Sequence, residues 1–390
     1  MSFNYYMPTR FVFGCGALGK LHRREMPGKR ALIVISAGKS TRTNGYLDRV
    51  TEQLEKAGVS WVVFDRILPN PVLAHVDEGA ALAVQEGCDF VLGLGGGSSI
   101  DSAKAIAVKA ANPEHDYWEF VGGATGGKKT PPNAPLPIVA ITTTAGTGTE
   151  TDPWAVITKP ETKEKLGGGF DGTFPVLSVI DPELMVSVPP DLTAYQGFDA
   201  LFHSIECYLH KNQSRINDLL CIDAIENIAT FLPRAIRDGG DLEAREAVAL
   251  GNTEAGFTQS IAGCISEHAI EHALSAYSPK LPHGAGLIAI SLAYFGTLIE
   301  KGALPERFVA MAKALGKADA QVPADFLPAL AALQGACGVD ALRLSDFGIE
   351  RADLPAIAQN AYDVMGHLFL VDPVEVVYED TLALLEKSYR

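Results

Sequence analysis

The chain has 390 residues, 47% of them hydrophobic and 20% charged, and its 32 basic against 47 acidic residues leave a net charge of −15. That length exceeds what one hydrophobic core usually serves, and the composition excludes a disordered or fibrous chain. A polyanion is gripped through surplus Lys and Arg, so the balance speaks against nucleic acid and against an anionic membrane surface as partners.

Residues 1–6 carry no basic stretch followed by an apolar one, so no secretory signal is expected. From there, short apolar runs bounded by turn residues predict strands at 31–35, 60–64, 90–95, 137–142 and 175–181. Segments 46–57 and 75–86, between the early strands, repeat apolar residues three and four apart and predict amphipathic helices. Strand and helix in alternation make a parallel sheet covered on both faces.

The alternation ends at Val188-Pro189-Pro190, which suits a turn before a helix capped by Asp191. Beyond it the patterns are helical, as at 199–210, 221–236 and 374–389, with no β-branched strand. The expectation is two domains: an α/β domain over 1–188 and an all-helical domain over 189–390. The apolar, uncharged run 284–299 has 16 residues. It falls short of the ~20 a membrane span needs and reads as a buried helix. Six cysteines (Cys15, Cys88, Cys207, Cys221, Cys264, Cys337) form no CxxC pair, so reduced thiols and a cytoplasmic location are expected.

Two turns carry ligand chemistry. Strand 90–95 runs into Gly95-Gly96-Gly97-Ser98 and then a helix, a form that lets backbone N–H groups and a helix N-terminus approach a phosphate. It is neither G-x-G-x-x-G nor a Walker loop. Strand 137–142 runs into a second turn, where 142–149 holds five threonines and two glycines. By itself that turn could be a hydroxyl-capped loop. Two such turns at the carboxyl ends of parallel strands favour a nucleotide cofactor.

Asp199 and His203 stand four apart on a predicted helix, as do His268 and His272, and His283 follows in a Pro-His-Gly. Side chains four apart project from one helix face. Five of the nine histidines lie between 203 and 283, whereas a lone helical His is usually a surface or satisfied core residue, the reading kept for His22, His75, His115, His210 and His367. The clustered set favours a divalent metal site. Spacing alone does not separate His268 from His272 as ligand.

Together these residues resemble the iron-containing (group III) alcohol dehydrogenases, in a superfamily shared with glycerol dehydrogenase and dehydroquinate synthase. The resemblance runs nearly end to end: Pro8-Thr9-Arg10-Phe11-Val12-Phe13-Gly14, GGGSSIDSAK at 95–104, TTTAGTGTE at 142–150, Val179-Ile180-Asp181-Pro182-Glu183-Leu184, Gly197-Phe198-Asp199-Ala200-Leu201-Phe202-His203, and the HxxxH…PHG segment. It implies a dehydroquinate synthase-like fold, with an N-terminal Rossmann-like parallel-sheet domain and a C-terminal helical metal-binding domain. The ligand set it implies is Asp199, His203, His268 and His283. The remaining histidine, His272, would lie near the nicotinamide and substrate and is the candidate for relaying the proton. The gap from His272 to His283 is one residue longer than the family's spacing.

Family habit makes the cation Fe(II), with Zn(II) the second candidate. Gly95, Gly96, Gly97 and Ser98 would cradle the pyrophosphate, with Asp101, Thr142, Thr147 and Lys165 as weaker candidates for cofactor contact. In the family's NAD-preferring members an acidic residue after the second helix-linked strand meets the ribose hydroxyls; here that turn, 35–42, carries no carboxylate to repel a 2′-phosphate, so NADP(H) is expected over NAD(H), held by Gly38, Lys39 and Ser40.

The implied activity is hydride transfer between this cofactor and a small primary alcohol or aldehyde, in a homo-oligomer (dimer or larger). A glycerol dehydrogenase-like polyol oxidoreductase, a dehydroquinate synthase-like lyase and a non-catalytic binding scaffold are the alternatives. Against the lyase, few basic residues stand between 191 and 290, and none beside the metal motif.

Overall fold

The computed structural model describes residues 4–389. The chain divides into two compact units, one spanning Met7–Ser187 and the other running from Val188 onward with residues 4–6.

In the first unit the strands are β1 (Arg10–Phe13), β2 (Arg30–Ser36), β3 (Ser60–Ile67), β4 (Phe90–Gly95), β5 (Ile138–Thr142), β6 (Ala155–Lys159), β7 (Glu164–Gly168) and β8 (Leu177–Ile180). Six form one sheet in the order β1-β8-β5-β4-β2-β3. Every pairing in it is parallel. β4, β5 and β8 are buried along their whole length. That is the signature of a parallel sheet covered on both faces, and it is why these strands read as continuous apolar runs.

The helices of this unit are α1 (Ser40–Thr43), α2 (Tyr46–Lys56), α3 (Leu73–Gln85) and α4 (Gly97–Ala111). Alternate residues of the strands divide between the faces. Ile33, Ile35, Leu92, Leu94, Val139 and Ile141 join Val50 and Leu54 of α2 in one core. On the opposite face α4 lies so close to β4 that a Cβ on Gly93 would come within 2.9 Å of the Ile100 Cα. Only glycine at 93 permits that approach.

Two features depart from expectation. The edge strand β1 was not predicted as a strand, because four residues with a single buried side chain give little pattern to read. Nor was the antiparallel hairpin β6–β7. Its strands carry Lys159, Glu164 and Lys165 beside paired glycines, and its turn includes Lys163 at φ 52°.

The helices of the second unit are α5 (Pro190–Leu209), α6 (Arg215–Arg237), α7 (Leu242–Ile261), α8 (Ser266–Tyr277), α9 (His283–Glu300), α10 (Pro305–Ala314), α11 (Phe326–Ala336), α12 (Leu354–Phe369) and α13 (Tyr378–Ser388). Among its described residues there is no strand. Asp191 does not cap α5 as expected. Pro189 holds the capping position without a side-chain bond, and Asp191 sits inside the first turn. There its charge still complements the helix dipole.

From Gly197 to Leu209 α5 is buried on all sides, as a central helix must be. Rings of Phe198, Phe202, Phe295, Phe326 and Phe308 link it to α9, α10 and α11, with successive centroids 5.3–6.0 Å apart. The apolar run 284–299 lies within α9, where Leu287, Ile290, Phe295 and Leu298 are buried.

Candidate dinucleotide and cation sites

β4 and β5 are neighbours whose last residues, Gly95 and Thr142, pair in register. The glycine turn and the threonine turn therefore leave the sheet side by side, and Thr143 N–H donates to the Gly95 carbonyl over 3.0 Å. α4 begins at Gly97, with Gly96 as an extended N-cap that makes no side-chain bond. A Cβ on Gly97 would fall 2.5 Å from Thr147 Cγ2, and one on Gly96 would fall 3.0 Å from Thr144 Oγ1. The glycines thus let the turns touch. Gly96, Gly97 and Ser98 remain partly exposed.

The weaker candidates are occupied by the chain itself. Asp101 is buried, and its oxygens accept from Thr149 Oγ1 (2.6 Å) and the Val156 N–H (2.9 Å). Burial pushes its carboxyl up, while Lys104 and Lys165 pull it down. Thr142 Oγ1 donates to the Thr144 carbonyl over 2.9 Å, and Thr147 Oγ1 accepts from Thr149 N–H over 3.4 Å. Lys165 is buried on β7. Gly38, Lys39 and Ser40 are exposed at the carboxyl end of β2. Beside them Arg42 donates to Asp65 of β3 over 2.7 Å, so a carboxylate absent from the turn is supplied by the neighbouring strand.

Sequence reading passed over Lys104, the last residue of GGGSSIDSAK. It has no exposed surface, and its ammonium donates to Thr149 Oγ1 (2.6 Å), the Asp152 carbonyl (2.9 Å) and carboxylate (3.1 Å), and the Trp154 carbonyl (2.7 Å). It ties the threonine turn to α4.

The second site belongs to α5, α8 and α9. Asp199 and His203 face one way from α5, His268 projects from α8, and His283 is the first residue of α9. The Nε2 atoms of His203, His268 and His283 lie 3.6, 3.6 and 3.4 Å from one oxygen, Asp199 Oδ1. His203 and His268 stack with centroids 4.5 Å apart.

Two further carboxylates stand behind the imidazoles. Glu206 contacts Nδ1 of His268, and Glu271 contacts Nδ1 of His283. An imidazole that gives its Nδ1 proton to a carboxylate presents a lone pair at Nε2. Both Asp199 Oδ1 and His268 Nε2 are buried without a hydrogen-bond partner. Asp199 Oδ1 and His268 Nε2 face one another at 3.6 Å, a spacing too long for a hydrogen bond. It matches the roughly 3.4 Å between neighbouring donors around a tetrahedral ion with bonds of about 2.1 Å. The donor set fits a divalent cation, and three imidazoles with one carboxylate suit Fe(II) or Zn(II).

His272 turns its Nδ1 to the Met365 sulfur at 3.1 Å, and its ring centroid lies 5.3 Å from that of His283. Cys264 lies near His203 and His268. Burial pushes its thiol up to about 11, so it stays protonated near neutrality. Between His272 and His283 the chain turns at Ser278, whose carbonyl accepts the Leu281 N–H over 3.0 Å. His210, four residues past Glu206, is satisfied locally by the Asn212 N–H at 2.8 Å. Glu206 and Glu271 escaped the sequence reading. Their signal was spacing, since each follows a candidate ligand (His203, His268) by three residues and so shares its helix face.

Comparison with known proteins gives the family. Residues 8–182 match the family model described as iron-containing alcohol dehydrogenase, and residues 193–389 match the C-terminal model of the same family. A choline dehydrogenase of Bacillus subtilis is 38% identical over 80% of this chain and 76% of its own length. The NAD-dependent methanol dehydrogenase of Bacillus methanolicus is 34% identical over 92% of this chain and 93% of its own. Among solved structures, an archaeal halo-thermophilic alcohol dehydrogenase from a Red Sea brine pool superposes with a TM-score of 0.95 at 36% identity, covering 100% of this chain and 99% of that one. The chain belongs to the iron-containing alcohol dehydrogenase family, and its chemistry is the interconversion of alcohols and aldehydes.

Proposed function

We propose that this family member holds its divalent cation through Asp199, His203, His268 and His283, and a nicotinamide dinucleotide through Gly95, Gly96, Gly97 and Ser98. The observation that carries the reading is the approach of three Nε2 atoms to one unpartnered carboxylate oxygen. When bound, the cation polarises the alcohol or aldehyde oxygen, and the dinucleotide takes up or supplies the hydride.

The chain's own residues do the rest. Asp199 brings the charge that a buried cation needs, and Glu206 and Glu271 keep the lone pairs of His268 and His283 directed inward. His272 is the proton-relaying residue: an imidazole can both take and give a proton, and its Nδ1 faces a sulfur, a weak acceptor, instead of a carboxylate. The first turn of α4 supplies N–H groups to the diphosphate.

For the dinucleotide, the reading is NADP(H). Gly38, Lys39 and Ser40 are exposed, and a 2′-phosphate finds a cation and a hydroxyl there. NAD(H) is the second reading, favoured by the Arg42–Asp65 pair, in which a carboxylate already holds the neighbouring guanidinium. The ratio of kcat/KM for NADPH and NADH decides. A clear NADH preference that D65N reverses establishes the second reading.

The test of the site separates binding from chemistry. H268A and H283A should lose the metal, measured by elemental analysis, and with it all turnover followed at 340 nm with a small aldehyde. H272A should keep the metal and lose about 100-fold or more in kcat. Wild-type metal content in H268A and H283A would refute the ligand set.

A further inference from the structure

Glu206 and Glu271 have side chains with no exposed surface. Each is held at both oxygens. Glu206 meets His268 Nδ1 through one and accepts the Ile265 N–H over 2.8 Å through the other. Glu271 meets His283 Nδ1 through one oxygen and the Ser275 hydroxyl through the other. The first of these contacts runs from α5 to α8 and the second from α8 to α9, so the three helices that carry the ligands are joined in series by carboxylate–imidazole bonds.

The packing leaves room for this. Gly286, three residues into α9 from His283, has no side chain where a Cβ would come within 2.9 Å of Glu271 Cγ and 3.0 Å of its Oε1. Any larger residue would press on the carboxylate. A buried carboxylate is costly unless its bonds are made, and each glutamate makes one of them to a ring.

We propose that Glu206 and Glu271 are the positioning residues of the cation site. Each fixes one imidazole by its Nδ1, and so sets the tautomer and aims Nε2 toward Asp199 before a cation arrives. The inference rests on the ligand assignment made above. It states where the site's preorganisation resides: a ring already oriented loses no rotamer freedom on binding, and an imidazole backed by a carboxylate is a stronger donor.

The experiment measures Zn(II) affinity of the full-length apoprotein by chelator competition in E206Q, E271Q, E271L and H268A. The d–d spectrum of the Co(II)-loaded proteins and the apoprotein melting temperature are recorded alongside. Expected are a 10- to 100-fold rise in Kd for each Gln variant, a larger rise for E271L, and an altered Co(II) spectrum, all at a near wild-type apoprotein melting temperature.

Should E206Q fail to fold, E271Q carries the test, because His283 opens its helix and is partly exposed. Zn(II) affinities within twofold of wild type in the Gln variants, with H268A devoid of metal, overturn the inference and leave the ligand set standing. Wild-type affinity in H268A overturns the ligand set instead. An unchanged Co(II) spectrum with a lowered apoprotein melting temperature makes the glutamates structural and also overturns the inference.

Discussion

Lys104 shows how much of a binding turn can hang on one buried charge. Its ammonium is shared among Thr149, Trp154 and Asp152, and Asp152 is itself 1% exposed. Burial pushes the Asp152 carboxyl up to about 6, and Lys104 holds it from rising further. The folded carboxyl therefore binds a proton more tightly than the unfolded one, whose value is near 3.8. Its contribution to stability is full below about pH 4 and is lost as pH rises through about 6. In K104M the countercharge is gone and the carboxyl moves higher still. At pH 8 the variant then carries an uncompensated buried charge, a cost of about 3–5 kcal/mol. Urea titration of wild type and K104M at pH 5 and pH 8 tests this. The deficit should shrink toward pH 5, and a deficit equal at both pH values would mean that packing, not charge, is what Lys104 supplies.

At the scale of elements, the start of α9 places His283, and it does so through a glycine. A Cβ on Gly284 would lie 2.0 Å from the carbonyl oxygen of Tyr195 in α5, a backbone atom with no flexible end to yield. G284A must therefore lift the first turn of α9 away from α5, and with it the His283 ring. The expected cost is about 1–3 kcal/mol in stability, together with a metal content well below wild type after equal loading. A G284A protein with full metal occupancy would show that His283 is not fixed by this contact.

The same scale explains what was legible in advance. β2, β4, β5 and β8 announced themselves because burial on both faces demands unbroken apolar runs. β1 and the β6–β7 hairpin did not, since an edge strand and a two-stranded ribbon bury too little to leave a pattern. The pairs Asp199/His203 and His268/His272 were visible as helix-face spacing. Which of His268 and His272 would approach Asp199 was not, because that depends on how α8 is set against α5, another helix.

For the whole molecule, the change of pattern near residue 188 was legible because α/β and all-helical segments have different apolar periods. The two units divide at Ser187 and Val188, and each proposed site is drawn entirely from one of them. Linkage then predicts where each ligand stabilises. A ligand that binds only the folded form slows the opening of the structure that builds its site, by about 2.7 kcal/mol at a hundred times its Kd. Zn(II) added to the apoprotein should protect amides of α5, α8 and α9, and NADPH should protect those of β4, the first turns of α4 and the threonine turn. Amide hydrogen exchange reads both, with slowing of up to about 100-fold where exchange proceeds through opening of the unit. Zinc protection as strong in β4 and α4 as in α8 and α9 would mean that cation binding is felt by the whole chain as one cooperative body. The metal site and the dinucleotide turn would then have to be treated as a single folding unit despite drawing on separate stretches of sequence.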